Sequence, residues 1–166
     1  AFNLLKLTKI NPGDKDLDVA CGKGIIHKHL FKLGSKNVVA IDLSENMIAI
    51  AKSKNSDENL QYEIADFYDF SEGDFDKIVI YNAYPHFTDT QAFLTAINNN
   101  LKKGGEFSII HSDPPSVINA RHSGEAKNVS KDLESADEEA NIFKELFDIV
   151  QTVDDGEKYL IRGKKR

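Results

Sequence analysis

The segment DLDVACGKG, residues 16–24, is a short apolar strand running into a glycine turn, and that turn decides the fold. Glycines directly after a strand let backbone and ligand approach closely, which points to a nucleotide-like ligand. Gly22 and Gly24 supply the first two positions of a G-x-G-x-x-G dinucleotide loop. The third position is His27, a bulky side chain where helix and strand must pack closely. No Lys-Ser/Thr pair follows, so a P-loop is excluded as well. A ligand carrying adenosine but no pyrophosphate remains.

On both sides of this turn, strands alternate with helices. Residues 2–10 read as the end of a helix closed by Asn11-Pro12-Gly13, and residues 25–33 as the helix after the loop. Residues 38–41 form a second buried strand, and Ser44 caps a helix bearing Met47, Ile48 and Ile50. Further strands fall at 60–64 and 77–81. A helix with Phe93, Ile97 and Leu101 follows, closed by Gly104-Gly105 before a fifth strand at 106–111. Residues 112–133 read as irregular. Ser135 then opens a capping box for a helix with Ile142, Phe143, Leu146 and Phe147. The end is an antiparallel hairpin, residues 149–153 and 159–161 around Asp154-Asp155-Gly156. This order predicts a doubly wound α/β sheet, mostly parallel, with helices on both faces and the ligand at the carboxyl ends of the strands.

Three of those strand ends carry an acid. Asp18 precedes Gly22 by four residues, where a carboxylate can hold an ammonium. Asp42 ends the second strand, at the distance suited to accepting from both ribose hydroxyls. Asp66 follows the third strand beside Phe67, where it can accept from an exocyclic amine. A lone Asp after a strand is commonly a turn or cap residue. Three in succession around one glycine loop point to a shared ligand.

Composition narrows the class. The 166 residues are 40% hydrophobic, enough for one domain with a real core, and no apolar run is long enough to span a membrane. A net charge of -6 disfavours a nucleic-acid partner. The single cysteine and the absence of a signal pattern point to a cytoplasmic, reducing home. The chain starts at Ala1 without an initiator Met and reads as a fragment, a processed product or part of something longer.

The motifs together resemble the class I S-adenosylmethionine (SAM)-dependent methyltransferases over nearly the whole length. DLDVACGKG (16–24) looks like the first motif of that family, with Ala20 where a glycine often stands. VVAIDLSENMI (38–48) resembles the second, in the style of ubiquinone and menaquinone biosynthesis enzymes. IADFYDF, FDKIVIYNAYPHF and LKKGGEFSIIH resemble the third, fourth and fifth. The resemblance implies a single domain over residues 1–166 with strand order 3-2-1-4-5-7-6 and a short or missing N-terminal lid. It implies SAM as cofactor, wrapped by backbone at Ala20, Gly22 and Gly24 with Asp18 near its amino group. Asp42 would take the ribose, Leu43 and Met47 would pack on adenine, Asp66 and Phe67 would meet the adenine edge, and Asn82 would border the methyl group.

For the acceptor side the candidates are Tyr84, His86 and Phe87 after the fourth strand and His111 after the fifth. His111 and His122 lack a third ligand, so no metal is expected. Only Asn82 matches the Asn-Pro-Pro-aromatic motif of nucleic-acid amino methyltransferases, and Cys21 has no partner thiol for arsenic chemistry. A small-molecule acceptor is therefore expected. The alternatives are a SAM-binding module without catalysis and a nicotinamide-dependent oxidoreductase.

Overall fold

Side-chain alternation along the central strands sets the architecture. The computed structural model describes residues 1–121 and 130–166. Its strands are β1 (Lys15–Val19), β2 (Asn37–Asp42), β3 (Leu60–Ile64), β4 (Phe75–Tyr81), β5 (Leu101–His111), β6 (Phe147–Asp154) and β7 (Tyr159–Lys165). They form one sheet in the order β3-β2-β1-β4-β5-β7-β6, parallel except for the antiparallel β5-β7 and β7-β6 pairs. That is the predicted order.

Successive strand residues point to opposite faces. Leu17, Val19, Val39, Ile41, Ile78, Ile80, Phe107 and Ile109 share one core with Phe93, Leu94 and Ile97 of α4 (Thr90–Asn100) and Ala140 and Phe143 of α6 (Ala136–Phe143). Val38, Val79, Ile110 and Leu160 meet Leu5 of α1 (Phe2–Leu5) and Leu30 of α2 (His27–Leu33) on the other face. On that face α3 (Glu45–Lys54) sets Ile48 against Cys21 and Ala40. Both faces are covered, which explains why the strands read as unbroken apolar runs. Phe93, Phe107 and Phe143 are fully buried, so truncating any one to Ala costs about 3–5 kcal/mol.

Several boundaries differ from the expectation. Gly104 and Gly105 lie inside β5 and do not end α4. The helix stops at Asn100, whose buried amide donates to Ala96 O and Phe70 O while its carbonyl accepts from the Glu72 and Gly73 N–H groups. Part of the stretch expected to be irregular is a helix, α5 (Pro115–Arg121), begun by a proline, which suits a first helical turn. The Ser135 hydroxyl accepts from Glu138 N as expected, but α6 ends at Phe143 and Phe147 already belongs to β6. Among the described residues no helix is long and apolar enough to cross a membrane.

The crossovers from β1 and from β4 leave in opposite directions, so a crevice opens above these two neighbouring strands. Both end in a left-handed residue that is not glycine, Ala20 (φ 57°) and Asn82 (φ 55°). The chain turns sharply at both points.

Candidate functional site

Two adjoining clefts lie along the carboxyl ends of β1, β2 and β4, and Ala20 lines both. The first, of about 270 Å³, is aromatic and bounded by Asp42, Leu43, Asp66, Phe67, Tyr68 and Phe87. The second, of about 300 Å³, lies over the glycine loop and includes Asp18, Gly22, Met47, Tyr81 and Asn82. Each alone is at or just below the lower bound for small-molecule sites, about 300–1,000 Å³.

The loop geometry explains the glycines. Gly22 (φ 55°) and Gly24 (φ 78°) adopt backbone that favours residues without a Cβ. At Gly24 a Cβ would also lie 2.7 Å from Asn55 Nδ2 and 3.1 Å from the His27 ring. Ala20 holds a left-handed conformation with a Cβ present, at a strain of about 1–2 kcal/mol. The loop is tied to β2, because Gly22 N–H donates to Asp42 Oδ2 (2.9 Å) and Cys21 N–H to Ile41 O (3.0 Å). Ser44 N–H donates to the other Asp42 oxygen (2.9 Å). Asp42 is thus fixed by two backbone donors, half-buried, at the seam between the clefts.

Asp66 is oriented by its own turn, accepting from Tyr68 N–H at 3.0 Å. Phe67 is buried and meets Phe87 and Phe93 edge-on, with centroids 5.9 and 5.8 Å apart. Asn82 is clamped by Ser112, accepting from its N–H (2.9 Å) and donating to its hydroxyl (3.1 Å). Leu43 is exposed on the aromatic side, whereas Met47 lines the glycine-loop side, so these two do not flank one space.

Asp18, expected to hold an ammonium, also meets a side chain of the protein itself. Its Oδ2 lies 2.7 Å from His27 Nε2, with both side chains almost wholly buried. Burial pushes its carboxyl above the ordinary carboxylate range, His27 pulls it down, and Asp42 pushes it up. Burial also drives the Cys21 thiol up, with Asp18 and Asp42 adding to it, so that sulfur stays protonated.

The acceptor-side candidates divide. His86 and Phe87 line the aromatic cleft, and His86 Nδ1 lies 3.1 Å from Ser130 Oγ. Tyr84 lines neither cleft. The 3-10 turn Tyr84–His86 points it into the core, where its hydroxyl donates to Glu139 Oε2 (2.6 Å) and accepts from Lys131 Nζ (2.7 Å). Burial, then Glu139, raises its hydroxyl far above the ordinary phenol range, which removes it as a base. His111 is also buried, edge-on to Tyr159 at 5.6 Å, and lines neither cleft. His122 lies outside the described residues, as does part of the 112–133 stretch. Among the described residues no three His, Cys, Asp or Glu side chains are grouped to hold a metal. Tyr68, Tyr81 and Ile25 line the clefts without having been singled out in the sequence. Their position one or two residues from the named motif residues was the available signal.

A family model described as a methyltransferase domain matches residues 17–109, more than half of the chain and the part that builds both clefts. The chain belongs to the class I SAM-dependent methyltransferases. Over 119 residues it is 31% identical to a ubiquinone/menaquinone biosynthesis C-methyltransferase, UbiE, of Teredinibacter turnerae, covering 67% of this chain and 48% of that one. The chain therefore spans about half the length of the curated relatives it matches. A SAM-dependent methyltransferase from Mesorhizobium loti shares the fold with a TM-score of 0.81 at 18% identity, covering 98% of this chain and 96% of that one. The N-methyltransferase NodS of Bradyrhizobium japonicum, solved with S-adenosyl-L-homocysteine, gives 0.71 at 21% identity, covering 98% and 84%. The family match ends within β5, so α5, α6 and the hairpin lie beyond it.

Proposed function

We propose that this chain binds SAM across the two clefts and directs its methyl group to a small-molecule acceptor. The observation that carries the reading is the convergence of Asp18, Ala20, Gly22, Asp42 and Asp66 on adjoining clefts at one strand edge. The residues fit the cofactor: Asp42 is preset by two backbone donors and keeps lone pairs for the ribose hydroxyls. Leu43, Phe67 and Phe87 supply apolar surface for adenine, and Asp66 an acceptor for its amine. The Gly22–Gly24 backbone and Asp18 face the methionine part, and Asn82, held by Ser112, borders the methyl.

SAM supplies an already activated methyl group on its sulfonium. What the protein adds is alignment and shelter from water. Of the polar acceptor-side candidates Tyr84, His86 and His111, His86 is the one that reaches a cleft, with its ring orientation set by Ser130, so it is the candidate to orient an acceptor. The acidic chain disfavours nucleic acid as acceptor, and the likeness to UbiE favours a small molecule. The lone cysteine suits a reducing cytoplasm.

The test is incubation of the full-length protein with methyl-labelled SAM and a fractionated metabolite extract. Label transferred to a small acceptor is expected. Demonstrable SAM binding without transfer to any fraction would leave a binding module instead.

A further inference from the structure

The buried pair beside the glycine loop supplies a role that none of the family motifs describes. His27 opens α2 with its side chain 1% exposed, and its Nε2 stands 2.7 Å from Asp18 Oδ2. The two atoms are in close contact without a well-aligned hydrogen bond between them. On the other edge of the ring, Nδ1 lies 3.0 Å from the Tyr62 hydroxyl, which donates its own proton to Ala51 O at 3.3 Å. A neutral imidazole offers one donor and one acceptor. Here Nε2 faces a carboxylate oxygen and Nδ1 a hydroxyl that can accept from a ring carrying two protons. Gly24 leaves room for the ring, since a Cβ there would lie 3.1 Å from it.

The charged and titratable groups around the pair come from four elements. Asp18 is met by His27 from α2, by Asp42 from the end of β2 and by the Cys21 thiol in the loop, and Tyr62 of β3 faces His27. Of the groups acting on Asp18, His27 alone favours the carboxylate. A buried carboxylate without a cation takes up a proton.

We propose that His27 is a positioning residue for the cofactor, its imidazolium keeping Asp18 ionised and oriented on the wall of the glycine-loop cleft to accept from the ammonium of SAM. This rests on the SAM reading above. His27 touches neither ligand nor reacting atoms and acts only through Asp18. The bulky residue that rules out a dinucleotide loop thus has a use of its own.

Calorimetric titration of the wild type, His27→Gln and Asp18→Asn with SAM from about pH 5.5 to about pH 8.5 separates this role from packing. Glutamine keeps a donor near Asp18 but no charge. In wild type, affinity falls on acidification as Asp18 takes a proton. In His27→Gln that fall begins at higher pH, by about one unit or more, giving binding about tenfold weaker near pH 6 and a gap that narrows toward pH 8.5. Asp18→Asn gives weak binding with no such fall. Parallel wild-type and His27→Gln profiles overturn the proposal. Should His27→Gln lose its fold by circular dichroism, nitrogen NMR of the ligand-free wild type decides. Two protonated ring nitrogens on His27 at neutral pH uphold the pair, and a single protonated nitrogen refutes it. A wild type that binds no SAM at any pH defeats the cofactor reading itself, while the NMR result still judges the pair.

Discussion

Asp16 and Asp18 stand two residues apart on β1, on the same face, both closed off from water, yet their surroundings make them different groups. Asp18 has the His27 ring against it and lines a cleft. Asp16, near the amino end of the strand, is held by the Ser35 hydroxyl, with Asp14 and Asp76 nearby and Lys77 as the opposing charge. Burial is the main reason its carboxyl is pushed up to about 7, with Ser35 and Lys77 opposing and the two acids adding. The carboxyl end of the sheet sets its buried acid against a histidine on the wall of a cleft. The amino end buries one close to neutrality.

The largest expected effect follows from Asp16. Its folded value lies above the unfolded 3.8, so its contribution to stability is fully present below about pH 4 and is lost as pH rises through about 7. Relative to Asp16→Asn, the wild type should lose about 4 kcal/mol of unfolding free energy across that window, read by urea denaturation at several pH values. A constant difference between the two proteins would show that Asp16 is charged throughout.

Asp42 extends the comparison to a half-buried acid held by backbone donors. Asp42→Ala should weaken SAM binding by about 1–3 kcal/mol in a calorimetric titration, through loss of charge-assisted bonds to the ribose. Unchanged affinity would move the ribose elsewhere. Tyr62→Phe removes the oxygen facing His27 Nδ1 and should lower stability by about 1 kcal/mol in denaturant unfolding, the typical net worth of one hydrogen bond. No change there would show that the His27–Tyr62 contact contributes nothing net to stability. Smallest is Ala20→Gly, which relieves the left-handed strain at the end of β1 but loosens the unfolded chain. A gain of under about 1 kcal/mol is expected in the same assay, and a clear loss would show that the Ala20 methyl contributes packing that outweighs its strain.

Much of this was legible in the sequence. Apolar runs at β1, β2 and β4 announced strands covered on both faces, and the acids at the ends of β1, β2 and β3 fell along adjoining clefts because parallel strands all present their carboxyl ends there. The strand order came from the family resemblance, since local pattern does not fix which strands become neighbours. What stayed hidden depended on long-range packing. Gly104-Gly105 carries the signature of a helix stop, yet the stop is made by Asn100, whose amide satisfies groups some 28 residues away. Tyr84 sits beside the motif residue Asn82, but its ring direction is decided by Glu139 and Lys131, 55 and 47 residues on. His27 read as an obstacle to close helix–strand packing, and its partnership with Asp18 needed the loop's turn to become visible.

The most direct test of the central claim is a crystal structure with S-adenosyl-L-homocysteine bound. Ribose hydroxyls on Asp42, adenine between Leu43 and Phe67, and the amino group beside Asp18 are the expected result. Ligand density away from the Ala20 seam, with those carboxylates untouched, would contradict it.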